Sequence, residues 1–173
     1  MANDVLKTKP DKQILAYPKE RSGGAIHAAE PNDAWQVHTV DMRGFNQKGA
    51  IHTHMLVAVD VFTRKTYAAP MRGATSEQVV TVFKFWEGEA AEGSAPGAPG
   101  PLPKVCDTDK GPELEGAFVE YLEEKKIQHR VKAPHDVNSI AVVDRKIQSI
   151  KKAISGAMME ETMGTVNVHW VRP

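Results

Sequence analysis

The order of elements in the sequence predicts an α/β domain: a mixed five-stranded sheet flanked by helices. Three stretches of strand character follow one another with only short turns between them, the pattern of an antiparallel meander. After them helices and strands alternate, which adds further strands and covers the faces of the sheet. A length of 173 residues suits one such domain with flanking segments.

The first strand is Trp35-Gln-Val-His-Thr-Val-Asp41, where large apolar and polar side chains alternate and β-branched residues recur. Turn residues Gly44, Asn46 and Gly49 lead to a second, largely apolar strand from His54 to Phe62. Thr63-Arg64-Lys65 makes a tight connection into Thr66-Tyr-Ala-Ala-Pro70. A helix begins at Thr75, which has capping-box spacing to Gln78, and Val79, Phe83 and Trp86 share one face of it up to Gly88. Residues 87–103 are too rich in Gly, Pro and Ala for helix or strand and read as a surface loop. Val105–Thr108 is a brief strand, Gly116–Lys125 a helix and Ile127–Val131 a strand. An irregular loop over Ala133–Ser139 precedes a long helix from Ser139 to about Met163. Residues 1–34 hold Lys, Pro, Gly and Ala without a sustained period and read as a flexible leader, which leaves 35–173 as the domain.

Composition narrows the function classes. Lys+Arg and Asp+Glu number 22 each, so a uniformly basic nucleic-acid binder is excluded and any such contact must come from a local patch. The longest compact apolar run, Met55–Val59, is far short of the ~18 residues of a membrane span, and no secretory signal opens the chain. With Cys106 alone there is no intramolecular disulfide and no cysteine-based zinc site, which fits a reducing, intracellular compartment.

The most informative stretch is Val105-Cys-Asp-Thr-Asp-Lys-Gly-Pro-Glu-Leu114. Asp109 stands where the chain leaves the carboxyl edge of a sheet, a place where side chains point into a crevice. Alone it would read as a turn cap. Asp144, however, follows 35 positions later in the first turns of the long helix, beside the apolar stripe Ile140, Val143, Ile147, Ile150 and Ile154. That position puts it at the border between core and crevice, facing Asp109.

In these residues the chain resembles the catalytic core of retroviral and retrotransposon integrases, in the ribonuclease-H-like superfamily. The resemblance is carried by Trp35–Met42, Leu56-Val-Ala-Val-Asp-Val-Phe-Thr-Arg64, Thr108-Asp-Lys-Gly-Pro-Glu113 and Ala141-Val-Val-Asp-Arg145, in the family's order. It implies three carboxylates that hold two divalent ions, Mg²⁺ or Mn²⁺, for in-line attack of water or a DNA 3′-hydroxyl on a phosphodiester. The family patterns are Trp-Gln-x-Asp, Thr-Asp-x-Gly and a third acid, usually Glu, about 35 residues further on. Mapped here, the second position is Asp109 and the third is Asp144, both metal ligands by resemblance, with Asp for Glu one methylene shorter.

The first position is His38, and this is the serious departure. A neutral imidazole offers one lone pair and no negative charge, and suits zinc or manganese better than magnesium. Asp41 is no substitute, because three positions along a strand reverse the face. Asp60 corresponds to no metal ligand of the family.

DNA is the partner the resemblance implies, with Arg145, Lys146 and Lys151 on the helix and Lys132 and Asn138 on the approach to it as contacts. The bland alternative is an exposed basic helix face. Lys151 lies seven positions after Asp144, on the same face, while Asn138 and Ser139 are placed to cap the helix. His52 and His54 read as a solvent-facing strand start rather than a chelate. His129 and His135 lie in a basic stretch with Lys125, Lys126, Arg130 and Lys132, as a phosphate contact or a solvated edge.

The expected function is therefore that of an integrase core for DNA integration, nuclear if its source is a eukaryotic retroelement, and impaired by His38. A non-catalytic DNA-binding remnant or domesticated module of the same fold is the alternative, and a hydrolase of RNA–DNA hybrids a weaker one. Residues 1–34 hold one His and no Cys, so the family's zinc-binding amino-terminal domain is not expected there. The chain ends at His169-Trp-Val-Arg-Pro173, where related cores continue with another helix. A truncated core from a parent polyprotein, prone to self-association, is the corresponding expectation.

Overall fold

The computed structural model describes residues 27–45, 50–88, 102–133 and 140–162. Its elements in chain order are β1 (Ala34–Asp41), β2 (His54–Asp60), β3 (Thr66–Met71), α1 (Ser76–Glu87), β4 (Val105–Thr108), α2 (Ala117–Glu124), β5 (Gln128–Val131) and α3 (Ala141–Thr162). Short 3-10 turns follow β1 and β4, at Arg43–Phe45 and Pro112–Leu114. The strands lie in the order β3-β2-β1-β4-β5. The first three are antiparallel, while β1, β4 and β5 run parallel, so the sheet is mixed as predicted.

Each face of the sheet has its own core, and strand alternation assigns the side chains. Trp35 and Val37 on β1, Leu56 and Ala58 on β2 and Cys106 on β4 face α1 and α2. The centre of that layer is aromatic: Trp35 stacks on Tyr67 with ring centroids 4.5 Å apart, and Phe83 meets Phe118 at 5.0 Å. Thr75 caps α1 by accepting the Gln78 N–H, and Gly88 ends it at φ 93°, a left-handed turn that glycine adopts without strain. On the opposite face, Val40, Met42, Met55, Val57 and Val59 pack against Ile140, just before α3, and against Val143 and Ile147 of α3. Ile150 and Ile154 extend the same stripe, half-buried.

Two boundaries differ by two residues from those predicted, the others by one at most. β2 stops at Asp60 rather than Phe62, because the Asp60 carboxylate accepts the Phe62 N–H, the Thr63 hydroxyl and the Asn32 N–H and bends the chain out of the ladder. Phe62 is left on the surface. Helix α3 starts at Ala141 instead of Ser139. The Asn138–Ser139 cap, His135, most of the loop over 133–139, most of the leader, most of the 87–103 segment and the end of the chain lie outside the described residues.

Candidate active site and nucleic-acid interface

The parallel register of β1 and β4 pairs Val37 with Thr108. The next residue on each chain is His38 and Asp109, so the sheet sets these two side by side at its carboxyl edge. His38 Nδ1 lies 2.9 Å from Asp109 Oδ2, with both side chains half-buried. The contact is an ion pair when the imidazole is protonated, and its geometry is not that of an aligned hydrogen bond. Both Nδ1 and Asp109 Oδ1 are buried without a hydrogen-bond partner among the described residues.

Electrostatics follows from this contact. The Asp109 carboxylate raises the His38 imidazole above the ordinary histidine range against the opposing effect of burial, and Asp144 and Glu113 add to it from further away. In turn His38 holds Asp109 below the usual carboxylate range, with a smaller contribution from Lys132. Four predicted site residues, His38, Asp109, Asp144 and Lys132, thus share one electrostatic neighbourhood. Glu113 was not singled out by sequence. Its carboxylate lies over Gly111, so close that a Cβ there would meet an oxygen at 2.9 Å.

Do these residues suit a pair of divalent ions? Neutral or protonated, the His38 imidazole brings no negative charge to the place where the resemblance puts a metal-bridging carboxylate. Among the described residues no three His, Cys, Asp or Glu side chains are gathered so as to hold a metal ion. The donor set does not fit a two-ion magnesium centre.

The other acids are committed elsewhere. Asp41 is exposed, on the face of β1 away from His38, and the Arg43 guanidinium holds it below the usual range. Asp60 caps its turn, and buried Asp107 takes a forked pair of bonds from Arg130 at 2.6 and 2.9 Å. The His54 ring bonds the Thr53 hydroxyl at 2.8 Å. His129 bonds the Thr108 hydroxyl at 2.8 Å and packs edge-on against Phe118, and burial pushes its imidazole down. It is a sheet-packing residue rather than a solvated edge.

Helix α3 is anchored by a side chain that sequence reading passed over. Gln36, fully buried on β1, accepts the backbone N–H groups of Val142 at 2.9 Å and Val143 at 3.0 Å through its Oε1. Those N–H groups are among the four that a helix start leaves without partners. Glutamine in the Trp-Gln pair was the available signal. Its acceptor role required knowing which helix end arrives from more than a hundred residues away.

The basic residues of α3 divide into two sets. At about 100° per residue, Lys151 returns to within about 20° of Asp144, whereas Lys146 lies about 160° away. Arg145 and Lys146 line instead an open cavity of about 470 Å³ with Arg64, on the flank of α3 that faces away from Asp144. No described helix is long and apolar enough to cross a membrane.

Comparison with known proteins gives one answer. The Integrase core domain family matches residues 28–137. The Pro-Pol polyprotein of feline foamy virus is 25% identical over 144 residues, 83% of this chain and 11% of the polyprotein. The Gag-Pro-Pol polyprotein of squirrel monkey retrovirus is 25% identical over 156 residues, 89% of this chain and 7% of the polyprotein. The chain therefore spans about a tenth of the length of these relatives or less.

Among solved structures, the HTLV-2 integrase catalytic core domain in complex with magnesium superimposes with a TM-score of 0.57 at 18% identity, covering 83% of this chain and 80% of that one. A chain of the simian T-cell lymphotropic virus intasome, in complex with PP2A regulatory subunit B56 gamma, gives 0.63 at 18% identity, covering 85% and 47%. Sheet order, the strand-edge placement of Asp109 and the family match over more than half of the sequence agree: this chain belongs to the integrase core domain family.

Proposed function

We propose that this chain is an integrase core that binds DNA but has lost most or all magnesium-dependent strand transfer. The observation that carries the reading is the 2.9 Å contact between His38 Nδ1 and Asp109 Oδ2. An imidazolium there supplies one positive charge in the place of a metal-bridging carboxylate, so Asp109 is neutralised from within. DNA binding is supported by Lys132 and Lys151 around the Asp109–Asp144 side and by the cations on the other flank of α3.

The test is a 3′-processing and strand-transfer assay in Mg²⁺ and in Mn²⁺, comparing the wild type with His38→Asp. The expected result is little or no wild-type product in Mg²⁺ and a gain in His38→Asp. Robust wild-type strand transfer in Mg²⁺ overturns the reading.

A second reading, a DNA-binding module without catalysis, is favoured by the lack of any three-ligand metal group among the described residues. Calorimetric titration separates the two. Paired-site binding of Mn²⁺ or Mg²⁺ supports residual enzyme chemistry, whereas metal-independent, salt-dependent DNA binding supports the module.

A further inference from the structure

Arg64, Arg145 and Lys146 surround one cavity, and nothing in the His38–Asp109 crevice accounts for them. The cavity, about 470 Å³, is lined by these three with Val59, Ala141, Val142 and Ser149, and no acid contributes to its wall. None of the three cations has an ion pair among the described residues. Like charges brought together without acids repel one another, so the arrangement calls for an anion.

The two walls hold their cations differently. Arg64 stands on the β2–β3 turn at φ 64°, a left-handed conformation. That turn is tied down by the Arg64 N–H to the Asp60 carbonyl and by the hydrogen bonds that the Asp60 carboxylate accepts from Asn32, Phe62 and Thr63. Arg145 and Lys146 stand on the first turns of α3, which Gln36 anchors. A guanidinium fork suits two phosphate oxygens at once.

We propose that this cavity is a second anion site, which seats a phosphodiester of the DNA backbone outside the catalytic crevice. The inference rests on the DNA-binding reading above and adds a contact to it. Lys151, on the Asp144 side of α3, and Lys146, on the far side, are about one helix diameter apart, about 10–12 Å. A strand that advances about 3.4 Å per phosphate spans that distance in a few nucleotides, so one DNA can engage both flanks of α3.

The experiment measures anisotropy of a labelled short duplex with the full chain across a salt series, for the wild type, Arg64→Gly, Lys146→Ala and Lys151→Ala. Glycine suits the φ of position 64, and thermal melts verify that each variant is folded. Arg64→Gly and Lys146→Ala are each expected to weaken binding by about threefold to tenfold and to lower the salt slope by about one contact. Arg64→Lys, which keeps the charge but not the guanidinium fork, should lose less affinity than Arg64→Gly.

If Lys151→Ala weakens binding while Arg64→Gly and Lys146→Ala bind as the wild type does, DNA uses only the crevice side and this inference fails alone. Absence of binding by the wild type at low salt overturns the DNA-binding reading itself, and this one with it. Inorganic phosphate, titrated in parallel, tests for a small-anion site. Should Arg64→Gly abolish phosphate binding and leave DNA affinity intact, the backbone assignment is wrong.

Discussion

The Gln36 side chain accepts the Val143 N–H at 3.0 Å, joining β1 to the start of α3 across 107 positions of sequence. The Val142 N–H reaches the same oxygen at 2.9 Å. One amide oxygen thereby fixes the helix turn that carries Asp144 relative to the strand that carries His38.

Replacing Gln36 by Leu should be costly out of proportion to the change in volume. It leaves two N–H groups at the helix start without their acceptor, and about 1–3 kcal/mol of stability is expected to be lost. Urea unfolding measures it. Gln36→Glu retains the acceptor but buries a charge, so its loss should grow as the pH rises.

The His38–Asp109 contact should be visible by NMR titration of the metal-free protein. His38 titrates above the ordinary histidine range, and Asp109→Asn brings it back toward that range. The raised histidine contributes stability that is complete below its unfolded pKa and lost as pH rises through its folded one. For Asp109, whose folded value is lowered, the contribution is present above its unfolded pKa and lost as pH falls through the folded one. Stabilisation by the pair is therefore greatest between about pH 4 and about pH 6.5. A flat difference in melting temperature between the wild type and Asp109→Asn across that range and beyond it would contradict this.

His38→Asp converts an attractive contact into two carboxylates at close range. In chelator the variant is expected to melt below the wild type, by about 2–4 °C per 1 kcal/mol of repulsion. Added Mn²⁺ or Mg²⁺ should restore the loss, as a ligand held only by the folded state does. The wild type should show little such response. Differential scanning calorimetry with and without metal checks both statements.

Phe83→Ala tests the face of the sheet remote from the site. Phe83 is fully buried and touches Trp35, Trp86, Phe118 and Tyr121. Its truncation should cost about 3–5 kcal/mol, a large share of the stability of a domain this size. Circular dichroism at increasing urea concentration measures the fall.

Much of the architecture was legible because it is written in local periodicity. Alternation located β1 and its inward face, and the 3.6-residue stripe located α3 and set Asp144 beside it. The approach of His38 to Asp109 could be anticipated from the ends of two strands. What remained hidden depended on neighbours distant in sequence. His129 looked like part of a basic edge because Thr108 and Phe118 are contributed by other elements. The separation of Lys146 from Asp144 was available from helical angles, but Arg64, which completes that group, arrives on a separate hairpin. Glu113 gains influence over His38 through a 3-10 turn that spacing does not reveal.

Cys106 lies inside the sheet, fully buried on β4 between β1 and the edge strand β5, and burial pushes its thiol up. As the only cysteine in the chain it is also a single-site reporter. A thiol reagent can reach it only during excursions that part β4 from the helices above it, so the labelling rate counts those openings one molecule at a time. Saturating DNA on the far side of the sheet should slow that rate if binding tightens the whole domain, and leave it unchanged if binding is confined to α3.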